Sequence, residues 1–299
     1  MDADIAGFFD NIDHDWMMKF LEHRIGDRRV LRLIRKWLTA GVSEEGEWSE
    51  TVVGTPQGAV ISPLLANVYL HYVFDLWIHH WRENYSQGGV RVVRYADDFV
   101  IGFRFKEDAR RCMELLRKRF GEFGLELHQE KTKLIEFGRF AMENHEKRGD
   151  GTPNVFDFLG FTHKCARTRS NGTFTVHRHS SSKRMRAKLS EVKLQLRNRR
   201  HRPLKETGRW LASVLQGWFN YHAVPGNIRR LCRFQKEVTK LWLKSIRRRS
   251  QRGRRRWSWS RMRRLCRNYF PCATILHPYP RERFTSRYGG SAILKARAV

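Results

Sequence analysis

The chain has 299 residues, 59 Lys and Arg against 30 Asp and Glu, a formal charge of +29, and a hydrophobic share of 40% that includes 10 Trp and 19 Phe. The apolar content excludes a purely disordered basic tail, the length excludes a small stapled peptide, and the charge implies a polyanionic partner. The charge is unevenly spread: residues 1–150 hold 22 Lys and Arg against 25 Asp and Glu, a net of −3, whereas residues 151–299 hold 37 against 5, a net of +32. A working domain followed by one that grips nucleic acid is the organisation this split implies.

Taken in chain order, Ala3 to Phe9 reads as a strand end running into a turn, with Asp2 and Asp4 on one side if the segment is extended. Asp13 caps a predicted helix over Asp15 to Ile25, in which Trp16, Phe20, Leu21 and Ile25 share a face, and Val30 to Leu38 gives a second helix. Glu47 to Val53 alternates as a strand, Gly54 to Gly58 is a loop, and Pro63 to Trp81 is helical in pattern. Thr51 to Phe74 carries no formal charge over 24 positions, but Pro56, Gly58, Pro63, Asn67 and His71 within it favour a loop entering a buried helix over a membrane span. Val90 to Tyr95 and Phe99 to Phe103 form a predicted β-hairpin with Asp97 and Asp98 at its tip. An amphipathic helix over Glu107 to Phe123 is expected to bury Cys112, Leu115, Leu116 and Phe120. Gly124 ends it, and Leu125 to Leu127 and Lys133 to Phe137 return as strands. This order is the split βαββαβ plan, giving an α+β fold.

Glu143 to Asn154 reads as a polar loop, and Val155 to Thr162 with Thr173 to His177 as a further hairpin around Ser170, Asn171 and Gly172. Helical periodicity then runs over Met185 to Leu196, Leu204 to Tyr221 and Ile228 to Ile246, an all-α basic domain. Arg247 to Arg267 is dense in Arg, with Trp257 and Trp259 interleaved. Cys112, Cys165, Cys232, Cys266 and Cys272 form no CxxC pair, and Cys266, Cys272 and His277 match no common zinc spacing. A reducing cytosol is the implied compartment, and the acidic Met1 to Asp10 lacks the form of a signal peptide.

In the split plan the first strand neighbours the hairpin, so Asp4, Asp97 and Asp98 are expected to converge. Hard oxygen ligands with no nearby His or Cys suit Mg²⁺, and two ions roughly 3.5–4 Å apart could activate a hydroxyl and stabilise a leaving pyrophosphate. An Asp-Asp pair taken alone reads more readily as an ordinary turn. The pair has company, however. Asp4-Ile5-Ala6-Gly7-Phe8-Phe9-Asp10, Gly54-Thr55-Pro56-Gln57-Gly58, Ile61-Ser62-Pro63-Leu64, Tyr95-Ala96-Asp97-Asp98, Gly124-Leu125-Glu126-Leu127, Lys131-Thr132-Lys133 and Phe158-Leu159-Gly160-Phe161 follow in that order. Together they resemble the palm motifs of reverse transcriptases, most closely those encoded by bacterial group II introns. Gly217-Trp218-Phe219-Asn220-Tyr221 in the basic helices resembles the thumb of that family, its maturase or X domain.

The resemblance implies a palm over residues 1–165, a hairpin linker over 166–180, a thumb over 181–250 and a basic nucleic-acid-binding tail over 251–299. It implies that Asp4, Asp97 and Asp98 hold two Mg²⁺ ions, and that Phe9 excludes a 2′-hydroxyl. Gln57, Gly58, Tyr95 and Lys131 would line the nucleotide and template site, with Phe158, Leu159 and Gly160 as primer grip. Lys183, Arg184, Arg186, Arg254, Arg255, Arg256 and Trp257 are candidates for RNA contact through phosphate neutralisation and base stacking. The implied activity is RNA-directed DNA synthesis from dNTPs on an RNA template with a DNA primer, with a maturase role on intron RNA in a cytoplasmic ribonucleoprotein. Complete members carry a fingers region before the first catalytic Asp, and here only Met1, Asp2 and Ala3 precede Asp4. The sequence therefore reads as lacking its fingers, through fragmentation or a misplaced start, and no Cys-rich nuclease segment follows the thumb. An inactive remnant that only binds RNA stays open as an alternative. A nucleotide cyclase would share the split plan, but Phe9, Pro56-Gln57-Gly58 and the basic helices speak against it.

Overall fold

The computed structural model describes residues 1–39, 42–44, 47–49, 54, 60–151, 153–168 and 171–279, with the backbone alone at 42–44, 47–49 and 252–254. It is a mixed α/β chain in two compact units, Met1–Glu136 and Phe137–Val299.

The first unit holds β1 (Asp2–Ala3), β2 (Ile5–Ala6), a 3₁₀ turn (Phe8–Asp10), α1 (His14–Glu22), α2 (Arg28–Thr39), β3 (Val42–Glu44) and β4 (Glu47–Ser49). After these come α3 (Ser62–Leu70), a π-helical turn (His71–Asp75), α4 (Leu76–Asn84), β5 (Val90–Tyr95), β6 (Asp98–Phe103), α5 (Lys106–Gly121) and β7 (Glu126–Leu127). β5 and β6 pair from Val90↔Phe103 to Tyr95↔Asp98. The other edge of β6 takes β1 in antiparallel register, Asp2↔Val100 and Ala3↔Phe99, while β2 pairs away from it with β7, Ile5↔Leu127 and Ala6↔Glu126. Asp2 is also bridged to Lys133 through reciprocal backbone hydrogen bonds of 2.9 and 2.8 Å. Residues 2–6 therefore lie between the hairpin and the returning chain, with Asp4 at the point where the pairing changes sides. Of the strand expected over Lys133 to Phe137, only the Lys133 bridge forms.

Helix α1 begins as its sequence requires: the Asp13 carboxylate accepts from the Trp16 amide at 2.9 Å, supplying one of the bonds a helix start lacks. On α5 the buried stripe is Ala109, Cys112, Leu116 and Phe120, and Leu115 is 42% exposed, contrary to expectation. One residue before Leu116 is about 100° around the helix, off the stripe. The segment expected as one helix over Pro63 to Trp81 is interrupted by the π turn, closed by the Leu76 amide on the His71 carbonyl. Its apolar residues explain the interruption. Leu65, Tyr69, Val73, Trp77 and Trp81, and beside them Ala66, Leu70, Phe74 and Ile78, recur every four residues and pack in one core. At 3.6 residues per turn a four-residue repeat drifts about 40° per step, and a wider turn takes up that drift.

The second unit holds α6 (Ala141–Arg148), β8 (Phe156–Phe158), β9 (Phe161–Arg167), β10 (Phe174–Ser180), α7 (Ser182–Asn198), α8 (Leu204–His222), α9 (Ile228–Arg247), α10 (Gln251–Arg256) and α11 (Trp259–Arg267). The expected polar loop at Glu143 is in part α6, a short helix burying Ala141 and His145 and ended by Gly149 at φ 73°. The expected two-stranded hairpin is a three-stranded sheet in the order β10-β9-β8. Helices α7, α8 and α9 enclose a core of Leu196, Leu211, Leu215, Phe234, Val238 and Trp242, and the Arg-rich α11 adds Met262 and Cys266 to it. Asn227 ties sheet to helices: its side chain accepts from the Ser180 amide at 3.0 Å and donates to Ser180 Oγ and the His222 carbonyl, each at 2.8 Å.

His222 is 3% exposed, and its Nδ1 finds no partner among the described residues. Burial, helped by the charge of Arg184, pushes its pKa down to about 4. A neutral histidine is thus bound into the fold, while an unfolded one charges below about 6.5. Stability present above pH 6.5 is lost as pH falls toward 4, by roughly 2–3 kcal/mol. His163 and His179 are shifted the same way by burial. Urea unfolding of the His222→Phe chain at pH 7 and pH 4.5 is expected to show a smaller acid loss than wild type; an equal loss would contradict the assignment.

Candidate active site

The hairpin β5–β6 turns through only Ala96 and Asp97, because Tyr95 pairs with Asp98. Ala96 sits at φ 53°, and Asp97 is not in the left-handed region. A two-residue connection of antiparallel strands demands a positive φ, and a residue with a Cβ adopts it at a cost of about 1–2 kcal/mol. The turn presents Asp97 half-buried at its apex, with Tyr95 and Asp98 exposed on either side.

Asp4 lies between β1 and β2, and its carbonyl accepts from the His128 amide at 2.8 Å. The chain then turns, the Thr132 amide meeting the His128 carbonyl at 2.9 Å, and the turn carries Lys131 back. Lys131 Nζ donates to Asp4 Oδ2 at 2.6 Å with the lysine 61% exposed. That hydrogen bond and the Asp4 charge, joined by the charges of Asp98 and Asp97, hold the Lys131 ammonium above the ordinary lysine range. The three carboxylates therefore act on one cation. Among the described residues no three His, Cys, Asp or Glu side chains are gathered closely enough to hold a metal ion. Lys131 pairs with one of the three carboxylates, Asp4.

Phe9 stands in the 3₁₀ turn, edge-on to Phe8 at 5.4 Å and packed against the core. Gly54 touches this turn so closely that a Cβ there would lie 2.7 Å from the Phe9 carbonyl oxygen and 2.8 Å from that of Asp10, at φ 91°. Its amide donates to the Ile12 carbonyl at 2.9 Å, and His14 Nε2 meets its carbonyl at 2.5 Å. Gly54 itself is thus fixed beside Phe9. Gln57 and Gly58 themselves lie outside the described residues.

In the second unit, Leu159 and Gly160 form the two-residue turn between β8 and β9, at φ 47° and 79°. Tyr221 of α8 donates its hydroxyl to the Leu159 carbonyl at 2.7 Å and stacks on Phe161, and the Ser181 amide donates to the Gly160 carbonyl at 2.9 Å. Lys183, Arg184 and Arg186 are exposed on α7, as are Arg255 and Arg256 on α10; the Arg254 side chain lies outside the described residues. The Trp257 carbonyl accepts from Arg247 at 2.8 Å, and the Arg261 guanidinium lies 5.5 Å from its ring.

Sequence reasoning missed Arg94, which grips the Asp97 turn from behind, and its partner Asp75. The signal was present: Asp75 is the first charge after the 24 uncharged positions, and Arg94 interrupts an apolar strand.

Residues 1–163 match the family described as "Reverse transcriptase (RNA-dependent DNA polymerase)". Over 88 residues, 28% of this chain and 15% of the relative, the sequence is 46% identical to the group II intron-encoded protein LtrA of Lactococcus lactis subsp. cremoris. It is 40% identical over 89 residues, 30% of this chain and 11% of the relative, to an uncharacterized 91 kDa protein in the cob intron of Schizosaccharomyces pombe. It is 31% identical over 165 residues, 45% of this chain and 42% of the relative, to protein YkfC of Escherichia coli K12. The matched segments span less than half the length of each of these relatives.

Proposed function

Because the chain belongs to the reverse transcriptase family, we propose that it is an RNA-directed DNA polymerase of the group II intron type that also serves its intron RNA as a maturase. The observation that carries the reading is the Lys131 ammonium held by Asp4 within the field of Asp97 and Asp98. The three carboxylates offer only hard oxygen donors, which suit Mg²⁺, although among the described residues they are not gathered into one ion-holding group. When bound, the metal would lower the barrier to phosphoryl transfer by withdrawing charge from the attacking and leaving oxygens. Asp4, Asp97 and Asp98 would hold it, and Lys131, once released from Asp4, is free to meet the negative charge of a departing pyrophosphate. In this reading Phe9 would screen the sugar for its 2′-hydroxyl, and Gln57, Gly58 and Tyr95 would serve the nucleotide and template.

Residues 1–165 are the palm in this reading, 166–180 a hairpin linker, 181–250 the thumb and 251–299 a basic tail. The thumb and tail bind RNA through Lys183, Arg184, Arg186, Arg254, Arg255, Arg256 and Trp257, and the turn at Phe158, Leu159 and Gly160 grips the primer. No described helix is long and apolar enough to cross a membrane. In this reading the chain works in a ribonucleoprotein with its intron RNA, which we place in the cytoplasm.

Lys131 already neutralises Asp4, which favours a second reading, an RNA-binding splicing protein without polymerase activity. Primer extension separates the two. With an RNA template, a DNA primer, dNTPs and Mg²⁺, the chain is expected to lengthen the primer, and EDTA to abolish it. Salt-sensitive RNA binding without any extension would establish the second reading instead.

A further inference from the structure

The turn that carries Asp97 and Asp98 is not held by its own sequence. Ala96 stands in a left-handed conformation that residues with a Cβ disfavour, and no glycine or asparagine relieves it. What lies behind it is Arg94. The Arg94 side chain is 14% exposed and its guanidinium makes four hydrogen bonds: Nε to Asp75 Oδ1 at 2.8 Å, Nη2 to Asp75 Oδ2 at 2.5 Å, Nη1 to Asn67 Oδ1 at 2.9 Å, and Nη1 to the Ala96 carbonyl at 3.0 Å. The rigid two-pronged fork on Asp75 fixes the guanidinium plane, so the remaining nitrogen meets the strained residue at a set place. Asn67 and Asp75 are eight residues apart in a helical run, which in an ideal α-helix separates them by about 80° around the axis and about 12 Å along it. The π turn at His71–Asp75 falls between them and ends on Asp75 itself. Local widening of this kind recurs where a helix serves a site.

We propose that Arg94 is a positioning residue: anchored by Asp75 and Asn67, it holds the Ala96 carbonyl and so sets the turn from which Asp97 and Asp98 receive a divalent cation. The inference rests on the polymerase reading and goes beyond it in naming the groups behind the carboxylates. Conservative replacement distinguishes this from general scaffolding. Arg94→Lys keeps a charge against Asp75 but loses the fork, and Ala96→Gly adopts φ 53° without strain, so it makes the turn independent of Arg94.

The test uses the full chain and two readouts, amide hydrogen exchange over residues 90–103 and Mn²⁺ titration by electron paramagnetic resonance. In Arg94→Gln and Arg94→Lys, exchange at 95–99 is expected to quicken about tenfold while the rest of the unit is unchanged, and the Mn²⁺ dissociation constant to rise about tenfold. Adding Ala96→Gly to either is expected to restore most of both losses. Unchanged exchange in Arg94→Lys overturns the inference, as does quickened exchange with unchanged Mn²⁺ affinity. Failure of Ala96→Gly to restore either loss would reduce Arg94 to a tie between β5 and the helix. Wild-type protein that binds no Mn²⁺ overturns the polymerase reading itself, whereas equal binding by wild type and Arg94→Lys overturns this inference alone.

Discussion

Asp97→Asn is expected to lower primer extension by about a thousandfold while leaving RNA affinity within about twofold. The substitution keeps size and shape at the turn apex and removes only the charge, and Asn is at least as tolerant of turn geometry as Asp. What is lost is one anionic oxygen donor in a cluster whose members already act jointly on Lys131. RNA affinity is spared because the net charge of +32 lies in residues 151–299. Asp2→Asn makes the control. The Asp2 backbone is fixed by Val100 on one side and Lys133 on the other, and the substitution leaves that pairing intact. Steady-state extension and RNA titration on both variants check the pair, and extension by Asp97→Asn at the wild-type rate would remove Asp97 from the site.

Trp242→Ala is expected to destabilise the second unit by about 3–5 kcal/mol. Trp242 is fully buried in α9, stacked on Phe270 at 5.7 Å and edge-on to Tyr269 at 6.3 Å. Helix α8 makes room for it with Gly208, where a Cβ would lie 2.9 Å from the Tyr269 ring and 3.1 Å from that of Trp242. With so little slack, removing the indole leaves a cavity that neighbouring rings cannot fill by small shifts. Its Nε1 has no partner among the described residues, so Trp242→Phe gives up an unpaired donor along with the volume and costs less than Trp242→Ala. Guanidinium unfolding followed by circular dichroism measures both; equal losses in the two variants would show that packing around the ring is loose.

Where one residue's surroundings are local, the sequence announced the structure. The Asp13 cap, the burial of Cys112, Leu116 and Phe120 on α5 and the helices α7 to α9 follow from spacing that any window of the chain displays, whereas the same reading assigns Leu115 to the α5 stripe and omits Ala109. Helix α6 was hidden because it buries only Ala141 and His145, too little for a periodic signal, and α11 because Met262 and Cys266 are outnumbered by arginines that all face outward from it. The site divides the same way. Asp4, Asp97, Asp98 and Lys131 were picked out by motif, but the ion pair between Asp4 and Lys131 spans 127 positions, and no spacing rule reaches that far. Arg94 and Asp75 are 19 apart on different kinds of element, so their pairing depends on how a strand lies against a helix.

The π-helical turn also bears on which sequence changes the first unit withstands. The residues before it, from Leu65 to Leu70, and those after it, from Ile78 to Trp81, reach the same core only because the turn resets the phase between them. Exchanging one side chain there alters a contact, but deleting or inserting one residue rotates the whole downstream face by about 100°. That rotation would carry Asp75 away from Arg94 and Trp81 out to water together. For this stretch of the chain a change of length is therefore expected to cost more than the exchange of a single side chain.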